Sequence, residues 1–124
     1  MKIIVPDGYT MNPGDLSWDG LKQLGECRIF ERTRPDEMFN RILDADVVIT
    51  NKALIDEQLI DRLPNLRYIG VTATGYNIVN VQAASRKGIV VTNIPAYSTD
   101  SVAQLVFSHI LNIVNRDFWS ILQT

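Results

Sequence analysis

The chain has 124 residues, a formal net charge of -2 and a hydrophobic share of 46%, enough for one globular domain with a core of its own and too little for two. Acidic and basic residues are interspersed with no basic run, so the electrostatic footprint of a nucleic-acid binder is missing. A single cysteine, Cys27, can close no internal disulfide and is expected to act as a buried small hydrophobe in a reducing compartment.

The amino-terminal MKIIVPDGYT carries one lysine and a three-residue apolar run, far short of a signal-peptide core, which makes the cytoplasm the expected location. Strand-like apolar runs recur at residues 2–5, 27–31, 46–50, 66–71 and 88–92, with helical spacing between them. Five strand-helix units of this kind predict an α/β fold, a parallel sheet with helices on both faces. The runs VVIT at 47–50 and IVVT at 89–92 are continuous, as strands buried on both faces require.

The intervening helices carry their own punctuation. Ser17 or Asp15 can cap the first, Trp18, Leu21 and Leu24 share its inner face, and Gly25 is its expected left-handed stop. The second starts at TRPD, where Thr33 and Asp36 fit a capping box, Pro35 occupies the first turn, and Met38, Phe39, Ile42 and Leu43 face inward. The third lies between Asp56 and Leu63, before Pro64, and the fourth runs from an Asn80 cap to Gly88. In the fifth, Ser101 and Gln104 fit a capping box, and Ser101, Gln104, Ser108, Asn112 and Asn115 form one narrow uncharged stripe with apolar residues over most of the remainder. Its fifteen residues include six polar ones, too short and too polar for a membrane span. A neighbouring domain or a second chain is therefore expected to cover it, with His109 packed among apolar neighbours rather than catalytic.

The chain contains no CxxC, HExxH or GxSxG, and none of its seven glycines completes a GxGxxG or a P-loop GxxxxGK[ST], so neither standard cradle for a nucleotide diphosphate is present. No metal ligand set is assigned. The remaining polar residues gather at the carboxyl ends of the strands: Asp7 and Gly8, then Asn51 and Lys52, then TATGYN at 72–77, then Pro95, Ala96 and Tyr97. In a parallel sheet these positions share one edge, where backbone N–H groups and helix N-termini face outward. Gly75 is expected to permit a backbone turn closed to other residues and to let a ligand approach closely. Lys52 beside open N–H donors suits a small carboxylate, against the competing reading of a plain connection with a solvated lysine.

The segment GVTATGYNIVNVQAASRKGIVVTNIPAYSTDSVAQLVFSHIL, residues 70–111, resembles the amino-terminal domain of the D-isomer-specific 2-hydroxyacid dehydrogenases, in the glycerate dehydrogenase and hydroxypyruvate reductase branch. The resemblance extends over 1–116 and is most specific around Gly75 and Tyr97. It implies a flavodoxin-like, substrate-binding domain over 1–116, doubly wound with strand order 2-1-3-4-5, an order that right-handed crossovers with a single reversal also favour. It implies that the backbone N–H groups of Ala73, Thr74 and Gly75 receive the carboxylate of a small 2-oxo or 2-hydroxy acid, with Lys52 adding charge and Tyr97 closing the far wall. It implies further that a Rossmann domain, absent from this chain, binds NAD(H) or NADP(H) and brings the catalytic histidine, arginine and glutamate.

On that reading the helix bearing Val102, Gln104 and Val106 crosses toward the cofactor domain. The chain alone would hold no catalytic residue, bind no cofactor, turn over nothing, and pair with a second copy through 101–115 and the aromatic Phe118 and Trp119. Asn80 and Gln104 stand where the family has Asp and Glu, swaps that preserve capping. The tail DFWSILQT at 117–124 does not resemble the family's continuation, as expected of a truncated product, a shifted frame or a fragment. Two other readings compete. A phosphoacceptor receiver fails, because Thr50 and Asn51 end strand three where it needs Asp, and Asn93 follows strand five where it needs Lys. A non-enzymatic α/β interaction domain survives on the strength of the fifth helix.

Overall fold

Isoleucine and valine, stiff at χ1 and suited to a pleated surface, fill the strands of this chain. The computed structural model describes residues 1–115. Its strands are β1 (Lys2–Val5), β2 (Glu26–Ile29), β3 (Val47–Thr50), β4 (Tyr68–Val71) and β5 (Val90–Thr92), all parallel, in the order β2-β1-β3-β4-β5. That is the flavodoxin-like order expected from the sequence, with its reversal between β1 and β3.

Ile4, Val48, Ile69 and Val91 stand in register across four strands. They meet the buried Met38 and Ile42 of α2 (Pro35–Ile42), Ile60 of α3 (Glu57–Asp61) and Ala83 and Ala84 of α4 (Val81–Arg86) in one core. Ile69 at the centre is fully buried, and cutting it to alanine removes about 3 kcal/mol through lost transfer and a cavity. On the opposite face Ile3 and Val5 are buried, whereas Val90 is 57% exposed. The short α1 (Asp19–Lys22) lies beside β2.

Local capping follows the sequence at two helices. Asp56 accepts from the Leu59 N–H at 2.8 Å and Asn80 from the Ala83 N–H at 2.9 Å. Gly88, at φ +70°, ends the α4 segment in the left-handed form that favours glycine. Lys87 Nζ donates to the carbonyls of Ile60 and Asp61 at 2.9 and 3.0 Å, satisfying the open end of α3.

Elsewhere the structure corrects the expectation. The α2 cap is Arg34, whose N–H donates to Glu37 Oε2 at 3.3 Å, so Glu37 rather than Asp36 closes the box. Thr33 is drawn away because its hydroxyl donates to the Pro6 carbonyl at 2.6 Å. Gly25 has no positive φ; an added Cβ would lie 2.4 Å from the Met1 carbonyl oxygen, which accepts the Glu26 N–H where β2 joins β1. Leu24 and Leu43 are exposed rather than inward, since the helices that hold them end before those positions can turn to the core. Cys27 is half-buried on the edge strand, where burial pushes its thiol pKa up.

The fifth helix, α5 (Thr99–Asn115), begins before Ser101, and the Val102 N–H already bonds to Ser98 O at 2.9 Å. Ser101 is thus inside the first turn, not its cap. Every side chain from Thr99 to Val114 is exposed, His109 included, so the expected packing around that histidine is absent among the described residues. Phe118 and Trp119 lie outside the described residues.

Candidate functional site

The carboxyl edge of the sheet is held by bonds that continue the strands past their ends. Thr72 N–H donates to Thr50 O at 2.9 Å, extending the β3–β4 ladder by one step. Farther out, Ile55 and Val79 form a parallel bridge, with Ile55 N–H to Ile78 O at 2.8 Å and Asn80 N–H to Ile55 O at 3.0 Å. The loops after β3 and β4 therefore run side by side as a fixed pair.

The first of these loops is organised by a residue from a third strand end. Asp7 follows β1 at the reversal point and is only 5% exposed. Its Oδ2 accepts the backbone N–H groups of Asn51 at 3.0 Å, of Lys52, and of Ala53 at 3.1 Å, and its Oδ1 accepts the Thr50 hydroxyl at 3.1 Å. Asn51 answers by donating its Nδ2 to Thr10 O at 3.0 Å. A carboxylate that meets this many donors is well compensated for burial. The sequence placed Asp7 at this edge without its role; the one local signal is a charged residue directly ending a buried apolar run.

The second loop has the opposite character. Its carbonyls are strapped to the loop after β5: Ala73 O accepts the Ile94 N–H at 3.1 Å, Thr74 O accepts Asn93 Nδ2 at 2.8 Å, and the Thr74 hydroxyl donates to Ile94 O at 3.1 Å. Among the described residues the N–H groups of Ala73, Thr74 and Gly75 meet no acceptor. Beyond the end of β4, Thr74 and Gly75 are exposed and Ala73 is half-buried. Gly75 does not adopt a positive φ, and an added Cβ would meet only Asn77 Oδ1, at 3.5 Å. The expected need for a special backbone conformation is therefore corrected; room for an approaching ligand is what remains.

Lys52 and Tyr97 stand on different sides of this pair of loops. The exposed Lys52 borders a cleft of about 560 Å³ between α2 and α3, together with Phe39 and Arg62, whose guanidinium stacks 3.6 Å from the Phe39 ring centre. Tyr97, 64% exposed, borders a second cleft of about 520 Å³ with Asn12, Trp18, Ile49 and Thr72. Ala96, just before it, holds φ +55°, a strained position for a residue with a Cβ. Val102, Gln104 and Val106 stand exposed on the first turns of α5.

These residues do not fit a dinucleotide. Where a pyrophosphate would need a glycine turn and open N–H groups after β1, the Asp7 carboxylate sits, already bonded to the neighbouring loop. No glycine triplet of the required spacing exists elsewhere.

A doubly wound parallel sheet with unpaired backbone donors beyond its carboxyl edge defines an α/β domain able to receive a small anion. The family model of the D-isomer specific 2-hydroxyacid dehydrogenase catalytic domain matches residues 12–115, and the chain belongs to that family. It is 50% identical over 119 residues to a hydroxypyruvate reductase of Blautia hydrogenotrophica, covering 94% of this chain and 37% of that protein. A glycerate dehydrogenase of Methylorubrum extorquens is 34% identical over 82 residues, 65% of this chain and 26% of the relative. Among solved structures, an acyclic imino acid reductase in complex with NADPH and D-Arg superposes with a TM-score of 0.78 at 27% identity, over 100% of this chain and 40% of that one. D-lactate dehydrogenase from Aquifex aeolicus, complexed with NAD and lactic acid, gives 0.72 at 26%, over 94% and 34%. The match spans between 26% and 40% of the length of these relatives.

Proposed function

We propose that this chain is the substrate-binding part of an NAD(P)-dependent oxidoreductase interconverting D-2-hydroxy acids and 2-oxo acids of the glycerate and hydroxypyruvate type. The observation that carries it is the run of three unpaired backbone donors at Ala73, Thr74 and Gly75. A carboxylate seated there gains roughly 1.5–3 kcal/mol per charge-assisted bond before desolvation is subtracted. The straps to Asn93 and Ile94 keep the donors from turning away. Lys52 adds positive charge from one side, and Tyr97 supplies a wall with a ring and a hydroxyl from the other.

The likeness to a hydroxypyruvate reductase and a glycerate dehydrogenase supports this substrate class. In this reading NAD(H) or NADP(H) belongs to a further domain facing Val102, Gln104 and Val106, and with it the catalytic groups. The chain's own share of the reaction is to hold and orient the acid. A cytoplasmic setting fits its lone, unbridged cysteine.

The test is an amide NMR titration of the chain with hydroxypyruvate and glyoxylate. Saturable shifts are expected at Ala73, Thr74 and Gly75; if these signals stay still while others move, the acid docks elsewhere. The chain alone is expected to oxidise no NADH in the presence of hydroxypyruvate, and turnover by the pure chain contradicts this division of labour. One observation favours a second reading, an interaction domain without enzymatic function: the exposed apolar surface of α5. Its occupant in this chain would be a second copy.

A further inference from the structure

The least explained charged group in the described chain is Asp7. It is buried to 5% exposure, yet it pairs with no cation among the described residues. Apart from the Thr10 hydroxyl at 3.3 Å, its carboxylate partners belong to the end of β3 and the loop after it: three consecutive N–H groups, Asn51 to Ala53, and the Thr50 hydroxyl. Three successive N–H groups converging on one point form an anion-binding concavity of the kind that takes phosphates and carboxylates in other proteins. Here that concavity lies one strand away from the open donors at Ala73 to Gly75. Two carboxylate receptors at adjacent strand ends would compete for one small acid.

We propose that Asp7 is a positioning residue that acts as a built-in occupant of the 51–53 concavity, so that an incoming carboxylate finds open backbone donors only on the β4 loop. The inference rests, for the docking loop itself, on the function proposed above. The occupancy has a second consequence. With its own N–H held by Asp7, Lys52 is pinned at the backbone while its ammonium has no acidic partner among the described residues. Thr10, whose hydroxyl donates to the Asp7 carbonyl at 2.8 Å and to its Oδ2 at 3.3 Å, fixes the carboxylate from the β1 side. The tether across the gap is completed by Asn51 Nδ2 on Thr10 O. The β1–β3 gap, which is the usual ligand crevice of this sheet order, is thereby closed to anions by the chain's own side chain.

The test uses the chain itself, Asp7→Ala, and formate as a carboxylate of the missing size. In the parent, glyoxylate should shift the amides of 73–75 and leave those of 51–53 unmoved. In Asp7→Ala, formate should shift the 51–53 amide protons saturably downfield and raise the melting temperature, while equal chloride does neither. Glyoxylate should then perturb 51–53 as well as 73–75. A merely structural aspartate predicts lower stability but no saturable formate response at those three amides. If Asp7→Ala is unfolded in buffer, Asp7→Ser, whose shorter side chain withdraws the carboxylate from all three amides, serves instead, with formate and glyoxylate expected at 51–53 as for Asp7→Ala. A folded variant whose 51–53 amides ignore both formate and glyoxylate overturns the proposal, and so does a parent whose 51–53 amides respond to glyoxylate. Silence at 73–75 in the parent, with formate still bound at 51–53 in the variant, overturns only the docking loop and leaves the role of Asp7 in the concavity standing.

Discussion

At Gly75 the absence of a Cβ matters for what lies outside the chain, not within it. Its φ is not positive and an alanine Cβ would touch only Asn77 Oδ1 at 3.5 Å, so Gly75→Ala should leave stability within about 0.5 kcal/mol of the parent. In the proposed docking of the acid at 73–75 a methyl on Gly75 would take up ligand space, and the affinity for glyoxylate should fall about tenfold, the equivalent of roughly 1.4 kcal/mol. Paired thermal melts and amide titrations check this; unchanged affinity would return the loop to a plain connection. Gly70 is the contrasting case. A Cβ there would lie 2.9 Å from Ile49 Cδ1 and 3.1 Å from Tyr68 Cε1, so Gly70→Ala should cost about 1–3 kcal/mol with little effect on the acid. The placement of Lys52, Tyr97 and the 73–75 loop at the carboxyl edge was readable because polar groups at the ends of apolar runs stand out in sequence. The work of Asp7 was not, since its partners lie 43 to 46 positions away and no local pattern announces them.

Between elements, the strand runs were legible to within two or three residues, and the helix ends less so. Apolar runs record burial directly, whereas caps are decided by which partner wins, as the Pro6 carbonyl wins the Thr33 hydroxyl and leaves Glu37 to bond the Arg34 N–H. A comparable tie holds the amino-terminal end of the sheet. Asp44 lies between Lys2 of β1 and Arg28 of β2, and these two hydrogen-bonding cations hold its pKa down at about 2. The folded value is depressed below the ordinary carboxylate value, so the stabilisation is fully present above about pH 4 and is lost as pH falls toward 2. Its side chain is 40% exposed, and solvent screening limits the effect to about 1 kcal/mol or less. Asp44→Asn should therefore flatten the acid limb of a stability-versus-pH curve and change little at neutral pH beyond that amount. An unchanged acid limb would assign the acid loss to other carboxylates. The same pair should weaken in high salt.

For the whole molecule, the sheet order follows from right-handed crossovers and one reversal, but the exposure of α5 depends on what lies against it. From sequence its uncharged stripe and apolar remainder called for cover on more than one side, and the described residues provide none. Phe107 is 66% exposed, Leu111 57%, Ile113 76% and Val114 70%, a surface that monomers rarely leave open. A second copy can cover it by isologous pairing, in which the same helix face serves both partners. Self-association should then rise with protein concentration in sedimentation velocity and light scattering. The double variant Phe107→Glu with Leu111→Lys places an opposite-charge pair four residues apart, which supports the helix while making the face polar. It should shift the population to monomer and leave the thermal transition of the sheet in place, because neither residue belongs to the buried core. A parent chain that stays monomeric at high concentration sinks this prediction. Equal association by parent and variant would move the contact to another face, with the open side of β5 around Val90, 57% exposed, as the next surface to alter.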